Sequence, residues 1–370
     1  MPAKKTYKFR LYPSKSQKKK LEEWLKLSCE LYNAALQERR DAWSLNRISI
    51  SYSDQNKQLT EIKGIRPELK DVNSHVLQDA LRRLDKSFKA FFRRVKSGKT
   101  PGFPRFKSER RFHSFSVPKR RYKIADGRLD LSRFGKIKLR QDCEIIGEMT
   151  NLTVSREIGH WFACITVEFE PEKLPKSGEK IGIDLSYRYF AVLSDGTFVE
   201  NPRHYARMQK KLRTAARRVA RRKKGSHRRQ KAVVLLAKVH QKIRRRRNDF
   251  QHKLSYRLVN RYGFLAVEDL AIKDMTKTDD AKYRNKSLYD AAWGEFLYKL
   301  EYKAANAGRE LVKENPYFTS QSCVCGARLV TKPRQTNVIC VSCGQTGNRG
   351  IISSKVILQS AERRSVQALT

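Results

Sequence analysis

Residues Lys180 to Ser194, KIGIDLSYRYFAVLS, constrain the fold of this chain more than any other stretch. Ile181, Ile183 and Leu185 read as a buried strand that carries one acid, Asp184. A tight turn and a second apolar run, Tyr189 to Leu193, follow. A carboxylate on an apolar strand is costly to bury without a cation or a hydrogen-bonding partner. An acid that caps the strand end would explain it; so would a metal ligand presented at the end of a central strand. The rest of the chain decides between them.

Charge narrows the partners first. The 370 residues hold 81 Lys and Arg against 37 acids, a formal charge of +44. A surplus that large repels itself in a compact fold unless polyanions neutralise it, and nucleic acid is the polyanion expected. Apolar runs such as Ala232 to Ala237 are too short to cross a bilayer. MPAKKTYKFRLYP offers no apolar signal core, so a cytoplasmic protein with no membrane partner is expected. Cys323, Cys325, Cys340 and Cys343 crowd together, which suits a metal site in a reducing compartment better than a disulfide framework.

Residues 6 to 12 alternate as a strand, and Ser14 with Gln17 forms a capping-box pattern opening a helix. Leu21, Trp24, Leu25, Ser28, Leu31, Tyr32, Ala35 and Leu36 give that helix one apolar face. A second helix is expected from about Asn73 to Val95, with Leu77, Leu81, Leu84, Phe88, Phe91 and Phe92 inward. Its outer face carries Arg82, Arg83, Lys86, Lys89, Arg93 and Arg94. From Phe112 to Glu170 the period changes to two, and six short strands suggest a small β-barrel completed by the N-terminal strand. Asn201 to Asn248 contains no acid and reads as two basic helices broken near Gly225-Ser226. Its cations Arg217, Arg218, Arg221, Arg222, Lys223, Lys224, Arg244, Arg245, Arg246 and Arg247, with Arg82 and Lys86, are the expected nucleic-acid contacts. RYGFLAVEDL is a strand ending in Glu268-Asp269; residues 271 to 287 read as polar and mobile. A helix from Asp290 to Ala307, capped by Gly308, and a strand from Glu310 follow. This order fits a ribonuclease H-like α/β core.

Two-metal phosphodiester cleavage needs acidic oxygens that hold hard cations about 4 Å apart. Asp184 and Glu268 each stand at the polar end of an apolar strand. Between Asn315 and Thr370 the only acid is Glu362, so no third carboxylate follows the cysteines at an obvious place. The cysteines themselves form a C-x-C pair and a C-x-x-C pair, a set for tetrahedral structural zinc with the first arm one residue short. Zinc-protease, P-loop and G-x-S-x-G hydrolase motifs are absent.

Together these residues resemble the TnpB family of transposon-encoded RNA-guided nucleases, relatives of type V CRISPR effectors. The likeness runs along nearly the whole chain: YKFRLYPS, LQDALRRLDKSFKAFFRR, GKTPGFPRFK, LTVSREIGHWFACITVE, GIDLS, RNDFQHKLSYRLV, VEDL, WGEFLYKLEYKA and the TSQSC…C-CG cluster. It implies a multidomain α/β protein: a wedge-like β-barrel from 1–12 and 105–172, and a helical recognition lobe over 13–104. A RuvC-like domain of RNase H fold would span 178–314 and 346–370, with a zinc-finger-like insert at 315–345. It makes Asp184 and Glu268 the first two catalytic acids and puts Gly350 where the third, an Asp, stands in the family; Asn348 and Ile352 also depart from that motif. The departure resembles the nuclease-dead TnpB-like repressors (TldR proteins). The expectation is thus a monomeric protein in a ribonucleoprotein with guide RNA and double-stranded target DNA. It would not be an enzyme, would hold structural zinc, and would bind Mg²⁺ weakly or not at all. Tyr52, Ser74 and Gln78 are the expected readers of a target-adjacent motif, since Gln can address adenine edges. The alternatives are an active RNA-guided endonuclease whose third ligand is Glu362 or Asp269, and a transposase working without RNA. A basic structural protein would explain the charge but neither strand-end acid.

Overall fold

The computed structural model describes residues 2–186, 188–271, 282–317, 319–330 and 335–367. The chain divides into two compact units, residues 1–170 and 171–370.

In the first unit, strand β1 (Ala3–Tyr12) leads into helix α1 (Lys15–Asn46) through the capping box expected from sequence. Ser14 Oγ accepts from the Gln17 amide at 3.2 Å, and Gln17 Oε1 accepts from the Ser14 amide at 3.0 Å. All eight residues of the predicted α1 face are buried. Helices α2 (Tyr52–Lys57) and α3 (Leu59–Ile65) precede α4 (Ser74–Lys96), whose Leu77, Leu81 and Leu84 enter the same core. The α4 stripe does not stay inward to its end. Phe92 is 60% exposed, and it clusters with Phe88, Phe91 and Phe103 instead of reaching the main core.

The remaining strands of this unit are β2 (Ser114–Pro118), β3 (Tyr122–Ala125), β4 (Arg128–Leu131), β5 (Gly135–Arg140), β6 (Glu148–Glu157) and β7 (His160–Phe169). With β1 they form an antiparallel sheet in the order β2-β6-β7-β1-β5-β4-β3, curled as a half-barrel rather than the closed barrel expected. Closure would need β2 to meet β3. Helix α4 occupies the β2 edge instead: Arg83 donates to the Ser114 carbonyl at 2.6 Å, and Asp79 accepts from the Ser116 amide at 2.9 Å. Covering an edge this way removes its unpaired backbone groups from solvent. It also takes Arg83 off the outward basic face proposed for it.

The second unit is built on a five-stranded sheet of β8 (Lys180–Asp184), β9 (Ala191–Leu193), β10 (Phe198–Val199), β11 (Phe264–Glu268) and β12 (Glu310–Glu314), ordered β10-β9-β8-β11-β12. Strands β8, β11 and β12 are parallel; β9 runs antiparallel to β8, and β10 antiparallel to β9. The basic segment forms α5 (His204–Ala220) and α6 (His227–Arg261), broken where expected, with Gly225 at φ +85°. The helix expected from Asp290 is two: α7 (Lys282–Ala291) and α8 (Trp293–Ala307), separated by Ala292 at φ +49°. Asp290 caps α5 from a distance, accepting from the amides of Tyr205 and Ala206 at 2.8 and 3.2 Å. Of the polar segment 271–287, residues 272–281 lie outside the described residues. Strands β13 (Asn337–Ile339) and β14 (Thr346–Asn348) pair as a hairpin before helix α9 (Arg349–Gln367).

One sheet face, through Ile181, Ile183, Leu265 and Val267, packs on Leu254, Leu258, Trp293, Phe296 and Leu300. The other packs on α9 through Phe264, Ala266, Ile357 and Ala361. Gly182 permits this second contact. A Cβ there would lie 1.9 Å from the Ser354 carbonyl oxygen, inside any tolerable contact. Among the described residues no helix is long and apolar enough to cross a membrane.

Candidate functional site

The β8–β11 register pairs Val267 with Ile183, so the next residues, Glu268 and Asp184, end adjacent parallel strands side by side. Residues two apart share a face. Asp184 follows Gly182, and Glu268 follows Phe264 and Ala266, so both carboxylates lie on the α9 side at the carboxyl ends of the strands. Such edges are where open α/β sheets place their sites.

The electrostatics fit that placement. Burial, with the Glu268 carboxylate adding to it, pushes the Asp184 carboxyl up to about 7, while the Arg349 guanidinium opposes the shift. Burial also raises Glu268, which is 7% exposed, and the Thr319 hydroxyl opposes it by donating to Glu268 Oε1 at 2.5 Å. Two buried carboxyls whose charged forms burial disfavours are the oxygen donors a hard divalent cation stabilises.

Gly350 sits in the first turn of α9 and donates its amide to Asn348 Oδ1 at 2.9 Å. A Cβ there would meet Val192 Cγ2 at 3.1 Å. Val192 is the register partner of Asp184. The glycine therefore borders the strand ends without offering an oxygen from a side chain. The two acids considered as replacements are elsewhere. Glu362 pairs with Lys180 Nζ at 2.7 Å, at the opposite end of β8 and about 13 Å along the strand from Asp184. Asp269 is exposed beyond β11, its amide bonded to the Glu314 carbonyl at 2.7 Å.

Glu314 was not singled out from sequence. It ends β12, is the register partner of Glu268 and is 3% exposed. Its Oε2 accepts from Ser360 at 3.1 Å and pairs with Arg364 at 3.2 Å, and Oε1 is buried without a hydrogen bond. Three adjacent parallel strands thus end in acids. The signal was an acid closing the alternating run Glu310 to Glu314.

The four cysteines come together. Their sulfurs all lie within 4.8 Å of one another, with Cys323–Cys343 at 3.7 Å and Cys325–Cys340 at 3.6 Å. A tetrahedron with metal–sulfur bonds of about 2.3 Å has edges of about 3.8 Å. Gly326 at φ +89° and Gly344 at φ +72° close the two turns, each amide donating at 2.9 Å to the carbonyl of the first cysteine of its pair. Amide donors from Cys343 and Ser342 bring the Cys340 thiol down to about 6, while the neighbouring Cys325 and Cys340 sulfurs push the Cys343 thiol up to about 12. The shortened C-x-C arm still delivers its sulfur.

Of the expected nucleic-acid contacts, Arg82, Lys86, Arg217, Arg218, Arg221, Lys223, Lys224, Arg244, Arg245 and Arg246 are exposed, and Arg222 is half-buried. Arg247 is half-buried and donates to the Tyr289 carbonyl at 2.8 Å, so it braces α7. Ser74 accepts from Lys63 Nζ at 2.9 Å. Gln78 is half-buried beside His75, and Tyr52 lies under the Arg82 guanidinium at 5.8 Å.

Three family models match parts of the chain: "Probable transposase" over residues 164–279, "Cas12f1-like, TNB domain" over 293–357, and "Helix-turn-helix domain" over 1–47. A protein of Streptomyces pristinaespiralis is 33% identical over 96% of this chain and 89% of its own length. InsQ of Escherichia coli (strain K12) is 28% identical over 86% of this chain and 83% of its own. Both carry "RNA-guided DNA endonuclease" in their names. Among solved structures, "Structure of the mini-RNA-guided endonuclease CRISPR-Cas_phi3" is similar in fold, with a TM-score of 0.50 and 9% identity over 97% of this chain and 92% of that one. The site defines an α/β protein with a strand-end carboxylate pair and a four-cysteine cluster. The chain belongs to the TnpB (IS605 OrfB) family. The names of these relatives overturn the expectation that it is not an enzyme: they point to nuclease activity despite Gly350.

Proposed function

We propose that this protein binds a guide RNA, uses it to pair with a DNA target beside a short motif, and cuts that DNA slowly at Asp184 and Glu268. The observation that carries the reading is the register placing these two buried acids side by side at the ends of parallel strands. Divalent ions held there would supply an activated water and stabilise the leaving oxygen. The chain's own residues prepare the place. Thr319 fixes Glu268, Gly182 lets α9 lie against β8, and Arg349 brings positive charge to Asp184.

The +44 charge and the exposed cations of α5 and α6 suit a backbone-tracking role, with sequence left to base pairing. Tyr52, Ser74 and Gln78 are proposed as readers of the adjacent motif. The helices over 13–104 would form the recognition lobe, and the cysteines would hold one structural zinc. Gly350 favours long occupancy of the uncut target, so blocked transcription through that target is part of the same proposal.

Co-purified RNA should direct binding to matched DNA in Mg²⁺, with scission that Asp184→Ala abolishes. Binding that ignores the guide sequence would refute the reading.

A further inference from the structure

A cavity of about 790 Å³ opens where the start of α5 faces the middle of α6. His204 and Arg207 line it from α5, and Arg246, Phe250, Tyr256 and Arg257 from α6. With Asp249 and Lys253, the α6 positions recur from Arg246 at three, four and seven residues, the spacing that normally marks a buried helical stripe. Here that stripe is cationic and aromatic, and it faces open space. Tyr256 is 61% exposed.

The pairing around the cavity is lopsided. Among the described residues the Arg207, Arg246 and Arg257 side chains have no hydrogen bond or ion pair with protein. The one acid in the lining, Asp249, is held by Lys253 at 2.9 Å. His204 stands edge-on to Phe250 at 6.4 Å, and its Nε2 is buried without a partner. Phe250 in turn meets Phe190 edge-on at 4.9 Å, which ties this wall to the core. Lys303 Nζ lies 5.9 Å from the Tyr256 ring and is held by the His252 carbonyl at 2.7 Å.

We infer that this cavity is a binding site for one unpaired nucleotide. A base presents a flat π-face that Tyr256 can stack, worth about 1–3 kcal/mol per base. Its phosphates present oxygens that free guanidiniums match in planar, bidentate geometry. A base-paired duplex keeps its bases stacked on one another, so it cannot offer a free face to Tyr256. An acidic peptide could meet the arginines but leaves the aromatic wall without a match. The nucleotide could come from guide RNA or from a displaced DNA strand, and the chemistry is shared.

The inference rests on the nucleic-acid-binding function proposed above, and the test separates the two. Full-length protein is titrated with oligouridylate, with oligothymidylate of the same length, about ten nucleotides, and with duplex DNA, all at one salt concentration. Tyr256→Ala should weaken single-strand binding about tenfold and leave duplex binding within about twofold. Arg257→Gln should lower the salt slope of single-strand binding by about one. An Arg217→Gln, Arg218→Gln double variant, outside the cavity on α5, should weaken all three probes alike. A larger loss on RNA assigns the site to the guide and a larger loss on DNA to the displaced strand; equal losses mean the sugar is not read. Unchanged single-strand binding in both cavity variants, with the α5 control weakened, overturns the inference alone. No binding of any probe by the unaltered protein overturns the proposed function with it.

Discussion

The second unit brings together four cysteines in one place and a pair of buried carboxylates in another, and the two are assembled in opposite ways. The cysteine cluster draws all four sulfurs from two tight turns within Cys323 to Cys343. The carboxylate site draws Asp184 and Glu268 from strands 84 positions apart, the difference of their residue numbers, and its border is completed by α9. A site made of local turns tolerates a missing residue, because each turn can adjust by itself; the C-x-C arm shows this. A site made at strand ends depends on register and on one helix lying at one depth. Nothing local can replace the side chain missing at Gly350.

That contrast can be broken by changing either place. The largest effect should come from the cysteines. Cys340→Ser should abolish stoichiometric zinc, measured by elemental analysis, and open residues 319–348 to proteolysis, because binding energy at such sites is folding energy. Next in size is Gly350→Asp. Val192 must give by a few tenths of an ångström, and cleavage of a matched target should rise about a hundredfold. Loss of mere outer-shell partners at metal sites already costs roughly 10–100-fold. Gly182→Ala should cost about 1–3 kcal/mol by overpacking, read as a lower denaturant midpoint, since its Cβ would strike the Ser354 carbonyl at 1.9 Å. Smallest is Glu314→Gln, expected to lower stability by about 1 kcal/mol through its weakened pairing with Arg364 and Ser360. A loss of bound Mn²⁺ in that variant would instead bring the third strand-end acid into the site.

Much of this was legible from residues alone. Asp184 and Glu268 were visible because an acid interrupts an apolar alternation. The Ser14–Gln17 capping box and the Gly225-Ser226 break were visible because both are local signals. What escaped was set by partners distant in sequence. Asp290 reads as the start of a helix and acts as the cap of α5. Arg83 and Arg247 read as free cations and are spent on the Ser114 and Tyr289 carbonyls. Glu314 closes a strand whose depth is set by α9, and Phe92 lies beyond the reach of the core it was expected to join. The half-barrel followed from α4 side chains satisfying the β2 edge, which no period-two pattern could reveal.

The most direct test takes the complex with its co-purified RNA, a matched supercoiled target and Mg²⁺. Binding and strand scission are scored together for the unaltered protein, Asp184→Ala and Gly350→Asp. The account predicts guide-dependent binding in all three, slow scission by the unaltered protein, none by Asp184→Ala and faster scission by Gly350→Asp. Scission that survives Asp184→Ala, or binding indifferent to the guide, would contradict it.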